Sequence, residues 1–347
     1  MTGNNSGEAV RPPRGANIRD VARAAGVSHQ TVSRVINGHP SLREETRQRV
    51  VEAMEQLAFR PNRAARALVT SRSRILGVLV SNGLEYGPAA SLQAIEAAAA
   101  DAGYSIDIAN LEGTDRDSIV AALDRLMDHA VEGLVILAPQ SRSLKVIEDL
   151  SIRLPFVTVH STGRFVDHRL SVDQLSGARL ATRHLLELGH RSILHLAGPE
   201  GWVETAARLQ GYREEMAAWQ VPALEAPEGD WTAESGYRIG KKLMAGRSFS
   251  AVFSSNDQMA LGMVHALAEA GLRVPQDVSV VGFDDIPEAA HYLPPLTTVR
   301  QDFPELGRRC VAALLGLLVG EPSLSPGDVV PELIIRGSTA PVAARTD

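Results

Sequence analysis

The stretch NIRDVARAAGVSHQTVSRVIN, residues 17–37, decides how the rest of the chain is read. Asn17 can cap a helix through its side-chain oxygen, and Asp20 in the first turn suits the positive helix end. Val21, Ala22 and Ala25 give that helix one narrow apolar face. Gly26 stands where the chain turns with positive φ, and Ser28 can cap a second helix. Val32, Val35 and Ile36 recur at i, i+3, i+4 and point inward. The opposite face carries His29, Gln30, Thr31, Ser33 and Arg34, all hydrogen-bonding and uncrowded. Two short helices around a tight turn, with such a face, form a helix-turn-helix that offers its second helix to base edges in the DNA major groove. The helices alone also fit a plain amphipathic hairpin with a solvated face.

The string DVARAAGVSHQTVSRVIN separates these readings, because it resembles the DNA-binding head of the lac repressor family (LacI/GalR type) nearly residue for residue. The resemblance implies that His29, Gln30 and Arg34 read bases. Ser28, Thr31, Ser33 and Asn37 would hold phosphates or base edges. His29 replaces an aromatic residue beside Gln30, so the operator need not be the lac one.

Charge supports a division of labour. Residues 11–74 hold thirteen arginines against five acids, although the whole chain carries a net charge of −6. A basic module that meets phosphates and an acidic body that does not are the expected consequence. Residues 1–16, rich in Gly, Asn and Pro, read as a disordered tail. A helix-turn-helix domain spans 17–60. Its third helix lies in LREETRQRVVEAMEQLAF, with Ser41 and Glu44 as a capping box or a start nearer Arg43, and Val50, Met54 and Leu57 as its inward stripe. Residues 61–74 form a linker whose Ala-rich segment is too short to hold a helix alone. The resemblance makes it a hinge helix that pairs with its dimer mate and pushes Leu68 into the minor groove, with Asn62 and Ala65 on the same side.

From Ile75 the pattern becomes strand–helix alternation: ILGVLV, YSIDIAN, GLVILA and PFVTVH, then SILHLAG, AVFSSND and VSVVGFDD. Such alternation predicts parallel sheets covered on both faces. The fold class is thus an all-α helix-turn-helix head plus an α/β two-lobed, periplasmic-binding-protein-like body of two parallel sheets flanked by helices. Crossovers are expected near Ser161, near His291 and before PELIIRGST. One lobe would hold about 75–160 plus 292–325, the other about 161–291 plus 326–340, with 341–347 as a tail.

Ligands of open α/β sheets bind beyond the carboxyl ends of the strands. There LAGP (196–199), EGDW (228–231), NDQMALG (256–262) and YLPPLTTVRQDF (292–303) resemble the lac repressor family's sugar site. The resemblance implies that Arg208 grips vicinal hydroxyls with its planar fork. Asn256 and Asp284 would bond ring hydroxyls, with Gln258 holding the network. Trp231 and Phe303 would face the C–H side of the pyranose, and Pro88 would close the cleft. Read singly, Asn256 and Asp284 are helix caps, and Trp231 and Phe303 are core residues. Glu85 replaces an apolar residue and His160 an acidic one of the lac-type pattern, so the effector is a galactoside or another mono- or disaccharide.

Other classes are poorly supported by the sequence. It contains no dinucleotide fingerprint after a strand, P-loop, nucleophile elbow or zinc-protease motif, so no enzyme and no cofactor is expected. The ten histidines are scattered, and the single Cys310 precludes an intrachain disulfide. The N-terminus has no apolar core of a secretion signal, which argues against a transport-type sugar-binding protein and for a soluble, cytoplasmic one without a membrane partner. After Thr339 only APVAARTD follows, without the leucine heptads of a tetramerising helix. The expectation is a homodimeric repressor on a pseudo-palindromic double-stranded operator, released by a small sugar. A corepressor ligand, as in the family's purine-responsive branch, is the alternative.

Overall fold

The computed structural model describes residues 16–36, 41–60, 72–81, 85–150, 152–159, 169–224, 227–321 and 327–342. The chain divides into two compact units, Met1–Ser73 and Arg74–Asp347.

In the first unit, α1 (Ile18–Ala25) opens with a reciprocal capping box. The Asn17 side chain accepts from the Arg19 and Asp20 amides at 2.9 and 3.3 Å, and the Asn17 amide donates to Asp20 Oδ2 at 3.0 Å. Gly26 ends the helix at φ 63°, a left-handed conformation that costs a side-chain-bearing residue more. In α2 (His29–Ile36) the Thr31 amide donates to Ser28 Oγ at 3.1 Å, which caps the helix as expected. α3 (Glu44–Gln56) starts with Arg43 in the cap position and no side-chain cap, so the later of the two anticipated starts is the observed one. Val21, Val32 and Val50 are fully buried between the three helices. The inward stripe of α3 differs from expectation. Ala53 is buried beside Val50, with Met54 packed against them, whereas Leu57 lies past the last turn and is exposed. The expected tail 1–16 and linker 61–74 fall almost wholly outside the described residues.

The second unit runs β1 (Ile75–Ser81), α4 (Tyr86–Asp101), β2 (Ser105–Leu111), α5 (Arg116–Asp128), β3 (Gly133–Leu137), α6 (Ser141–Glu148), β4 (Phe156–Val159), β5 (Arg169–Leu170) and α7 (Gln174–Glu187). It continues with β6 (Ile193–Leu196), α8 (Val203–Ala218), α9 (Ala233–Met244), β7 (Ala251–Ser254), α10 (Asp257–Glu269), β8 (Ser279–Asp284), β9 (Thr297–Arg300), α11 (Phe303–Leu318) and β10 (Glu332–Ile334). The strands form two sheets, ordered β2-β1-β3-β4-β5 and β10-β9-β8-β7-β6. The first is parallel throughout. The second is parallel except for β10, which runs antiparallel to β9 and so departs from the all-parallel expectation. Helices cover both faces of each sheet, which is why strands such as GLVIL are apolar at every position and buried at each.

The lobe boundaries also shift. β5 pairs with β4, so the first lobe continues past residue 160 to the crossover at 171–173. Thr297–Arg300 pairs with β8, so the second crossover falls at 301–302 and not near His291. Val329 belongs to the first lobe's core and exchanges backbone bonds with the outgoing crossover: its amide donates to the Ser171 carbonyl at 2.7 Å, and its carbonyl accepts from the Asp173 amide at 2.9 Å. The prolines of YLPPL suggested a passage between lobes, but the β-branched TTV after them extends the second sheet first. Near the end of the chain, the Val342 amide donates to the Leu188 carbonyl at 2.9 Å, so the body holds a residue that was assigned to the tail.

Among the described residues no helix is long and apolar enough to cross a membrane. The run CVAALLGLLVG lies in α11, whose Leu306, Cys310, Val311 and Leu314 fill the first lobe's core. Burial pushes the Cys310 thiol up to about 12, where it holds its proton at any physiological pH. A thiol reagent at pH 8 should therefore leave Cys310 untouched in the folded protein and titrate one thiol in denaturant. Rapid reaction without denaturant would contradict this packing.

Candidate effector site between the lobes

A cavity lies where the carboxyl ends of the two sheets face each other. Glu85, Tyr86 and Pro88 line it from the start of α4. The second lobe supplies Gln174, Trp202, Glu204, Arg208, Trp231, Asn256 and Asp284, the second crossover supplies Gln301, and the start of α11 supplies Phe303.

Its centre is the guanidinium of Arg208, 4% exposed. Arg208 Nε donates to Gln174 Oε1 at 2.9 Å, and Gln174 Nε2 donates to Gln301 Oε1 at 2.8 Å. Gln301 Nε2 donates to Asp284 Oδ1 at 2.7 Å, and Arg208 Nη2 reaches the same oxygen at 3.5 Å. These four side chains close a ring. Two of them, Gln174 and Gln301, sit at crossovers between the lobes. Arg208 Nη1 also donates to the Ser255 carbonyl, and the guanidinium lies 3.8 Å over the Phe283 ring. Burial lowers the Arg208 pKa, opposed by the nearby Asp284, Glu204 and Asp257. Burial raises Asp284 to about 6 against the pull of Arg208.

Asn256 takes both roles that the sequence allowed. Its Oδ1 caps α10 by accepting from the Met259 amide at 2.9 Å, and it also lines the cavity. Its amide group donates to the Trp231 carbonyl and to Gln258 Oε1, each at 2.9 Å, so Asn256 is a strut with little donor capacity left for a ligand. Gln258 stands behind Asn256 and is not among the cavity-lining residues. Trp231 is both core and cavity wall, 8% exposed, with φ 70°. That unfavourable backbone is held in place by the Asn256 bond and by the missing side chain of Gly198, where a Cβ would stand 2.2 Å from the indole. Asp284, at the end of β8, is likewise left-handed at φ 107°. Phe303 meets Tyr86 edge-on at 5.9 Å between centroids. His160 lies outside the described residues.

Sequence reasoning missed Tyr86, Gln174, Trp202, Glu204 and Gln301. Glu204 stands one helical turn before Arg208, and Gln301 lies inside a quoted motif, so both could have been found. Nothing in the sequence points to Gln174. At the mouth, residues 139–141 and 201–203 form an antiparallel bridge across the lobes. The Ser141 amide donates to the Gly201 carbonyl at 2.8 Å, and the Val203 amide to the Pro139 carbonyl at 3.0 Å.

In the head, Ser28, His29, Gln30 and Arg34 are exposed, and Thr31 and Ser33 half-buried. The Thr31 and Ser28 hydroxyls lie 3.0 Å apart, so both belong to the cap of α2. Asn37, Asn62, Ala65 and Leu68 lie outside the described residues.

A helix-turn-helix unit together with a two-lobed α/β body holding a polar, aromatic-walled cavity defines a ligand-responsive DNA-binding protein. Comparison with known proteins makes the class specific. Residues 17–62 match the bacterial regulatory proteins of the lacI family, and residues 182–339 match a periplasmic binding protein-like domain. The chain is 34% identical over 324 residues to the lactose operon repressor of Escherichia coli (strain K12), covering 93% of this chain and 90% of that protein. It is 33% identical over 337 residues to the HTH-type transcriptional repressor PurR of Haemophilus influenzae (strain PittEE), covering 93% and 98%. A crystal structure of the lac repressor dimer bound to operator and the anti-inducer ONPF matches with a TM-score of 0.84 at 34% identity, covering 94% of this chain and all of that one. The chain belongs to the lacI family and is a DNA-binding transcriptional repressor.

The raised Asp284 pKa has a measurable consequence. Its carboxyl should titrate with a midpoint near pH 6 in a carbon-detected NMR experiment. Any ligand that needs ionised Asp284 as an acceptor should then bind about tenfold more weakly per pH unit below that midpoint. A midpoint near 4 would remove burial as the controlling influence on this group.

Proposed function

We propose that this repressor binds a pseudo-palindromic operator as a homodimer and is released by a small saccharide held in the cavity around Arg208. The observation that carries the proposal is the closed ring Arg208–Gln174–Gln301–Asp284. A ligand hydroxyl that competes for Arg208 or Asp284 acts directly on two of the three strands joining the lobes. The aromatic faces of Trp202, Trp231 and Phe303 suit the C–H face of a pyranose. The operator-bound dimer of the lac repressor, and the lactose operon that its relative controls, support the same assignment by similarity.

In this reading His29, Gln30 and Arg34 contact base edges, Ser28, Thr31, Ser33 and Asn37 hold phosphates or edges, and Leu68 of the paired linkers wedges the operator centre, with Asn62 and Ala65 on the same side. Saccharide binding turns one lobe against the other and remakes the bridge between residues 139–141 and 201–203. The linkers of the two protomers then separate. Only a ligand with unequal affinity for the two lobe arrangements can do this, and DNA must weaken its binding by the same factor. The protein acts in the cytoplasm, without catalysis. The alternative, a second reading, keeps the same site and family, with a ligand that tightens operator binding.

Fluorescence anisotropy with DNA from upstream of the gene, at one fixed salt concentration, tests the proposal. A saccharide that releases the DNA from the wild type should have no effect on Arg208→Ala, which still binds operator. Normal release in that variant would remove Arg208 from the mechanism, and tightening by the ligand would establish the second reading. Separately, Leu68→Ala should weaken operator binding roughly tenfold or more while saccharide affinity in the free protein is retained. Unchanged operator affinity would exclude the wedge.

A further inference from the structure

The cavity walls hold more negative charge than their own cation can neutralise. Glu85 and Asp284 line the cavity with one guanidinium, and each of the three Arg208 nitrogens already donates within the protein. Glu85 stands just before α4, and its Oε2 is buried and accepts no hydrogen bond from the protein. On the opposite lobe the indole nitrogen of Trp231, a residue 8% exposed, is buried and donates to nothing. A buried polar atom in a native protein generally has a partner, so both atoms call for one. An ionised carboxylate only accepts and an indole only donates. The complementary molecule therefore presents a donor to Glu85 and an acceptor to Trp231. A hydroxyl meets either need, whereas a phosphate or carboxylate meets only the second. On the same wall, burial raises the pKa of the Tyr86 hydroxyl, and Asp284, Asp257, Asp285 and Glu288 add to the shift.

We infer that Glu85 is a specificity residue that restricts the effector to saccharides without negative charge and rejects their phosphorylated and uronic-acid counterparts. The inference rests on the saccharide reading of the cavity and narrows it. A hydroxyl donating to Glu85 satisfies an acceptor that otherwise stays desolvated without a partner. An anion at the same place meets like charge in a medium that screens poorly.

The test is isothermal titration of the full-length protein with matched pairs: lactose, cellobiose, maltose and trehalose, each beside its phosphate ester. The expected result is that one neutral member binds the wild type at least a hundredfold more tightly than its phosphate. Glu85→Gln, which keeps an acceptor oxygen and removes the charge, should cut that preference at least tenfold. Glu85→Leu, which removes the acceptor, should lose at least tenfold on the neutral sugar, with an unchanged circular dichroism spectrum as the check on folding. A phosphate bound as tightly as its parent sugar, or a preference unmoved in Glu85→Gln, would overturn the inference and leave the saccharide reading intact. Failure of both members of every pair to bind the wild type would overturn both.

Discussion

A guanidinium is buried between the ends of two sheets, and the organisation of the body follows from the need to satisfy it. Removing one partner of a buried, hydrogen-bonded charge costs about 3–5 kcal/mol, so Arg208 cannot be left with an incomplete set of acceptors. It draws Gln174 and Gln301 from two crossovers and Asp284 from the end of β8 into one ring. Each glutamine both donates and accepts, which lets the ring close without a second charge. Any lobe movement that separates the crossovers breaks ring bonds. Conversely, any ligand that substitutes for a ring member changes what holds the crossovers together. In the proposed mechanism, ligand recognition and lobe geometry draw on the same few hydrogen bonds.

Backbone strain collects around the same centre. Trp231 and Asp284 both adopt left-handed conformations, and Asp285 follows at φ 52°. The loop after β8 is held by Asp285, which pairs with Arg300 at 2.7 Å and Arg336 at 2.6 Å, and by Asp257, which accepts from the Ile286 amide at 2.9 Å and the Thr298 hydroxyl at 2.6 Å. Burial raises the Asp257 pKa well above the usual carboxylate range, with Asp284 adding to the shift. These contacts over-determine a loop that would otherwise relax, and they aim Asp284 at Arg208. The cavity is preorganised on its second-lobe side. The first lobe contributes the start of one helix, with Glu85, Tyr86 and Pro88, so specificity can change there without disturbing the ring.

Much of this protein was legible in its sequence where the determinants are local. The cap at Asn17, the left-handed turn at Gly26, the cap at Ser28 and the inward valines follow from side chains acting within four residues of themselves, and the observed head repeats them. The strands of the body announced themselves as apolar β-branched runs because both faces of each sheet are covered. The motifs around Asn256 and Asp284 located the cavity, since a parallel sheet puts the loops after its strands at one end. What the sequence could not decide was pairing over distance. Thr297–Arg300 follows a proline-rich turn that reads equally as a loop or a crossover, and only its ladder with β8 assigns it to the second lobe. Leu57 fits the period of α3, yet that helix ends before it, and Ala53 takes the buried place. Gln174 joins Gln301 across 127 residues, a contact with no local signature. Tertiary structure alone gave Asn256 its bond to the Trp231 carbonyl, because that partner comes from a separate segment. Capping, turning and amphipathicity are settled between near neighbours, so residue order carries them. A ring of four side chains from distant segments exists only once the chain has closed on itself.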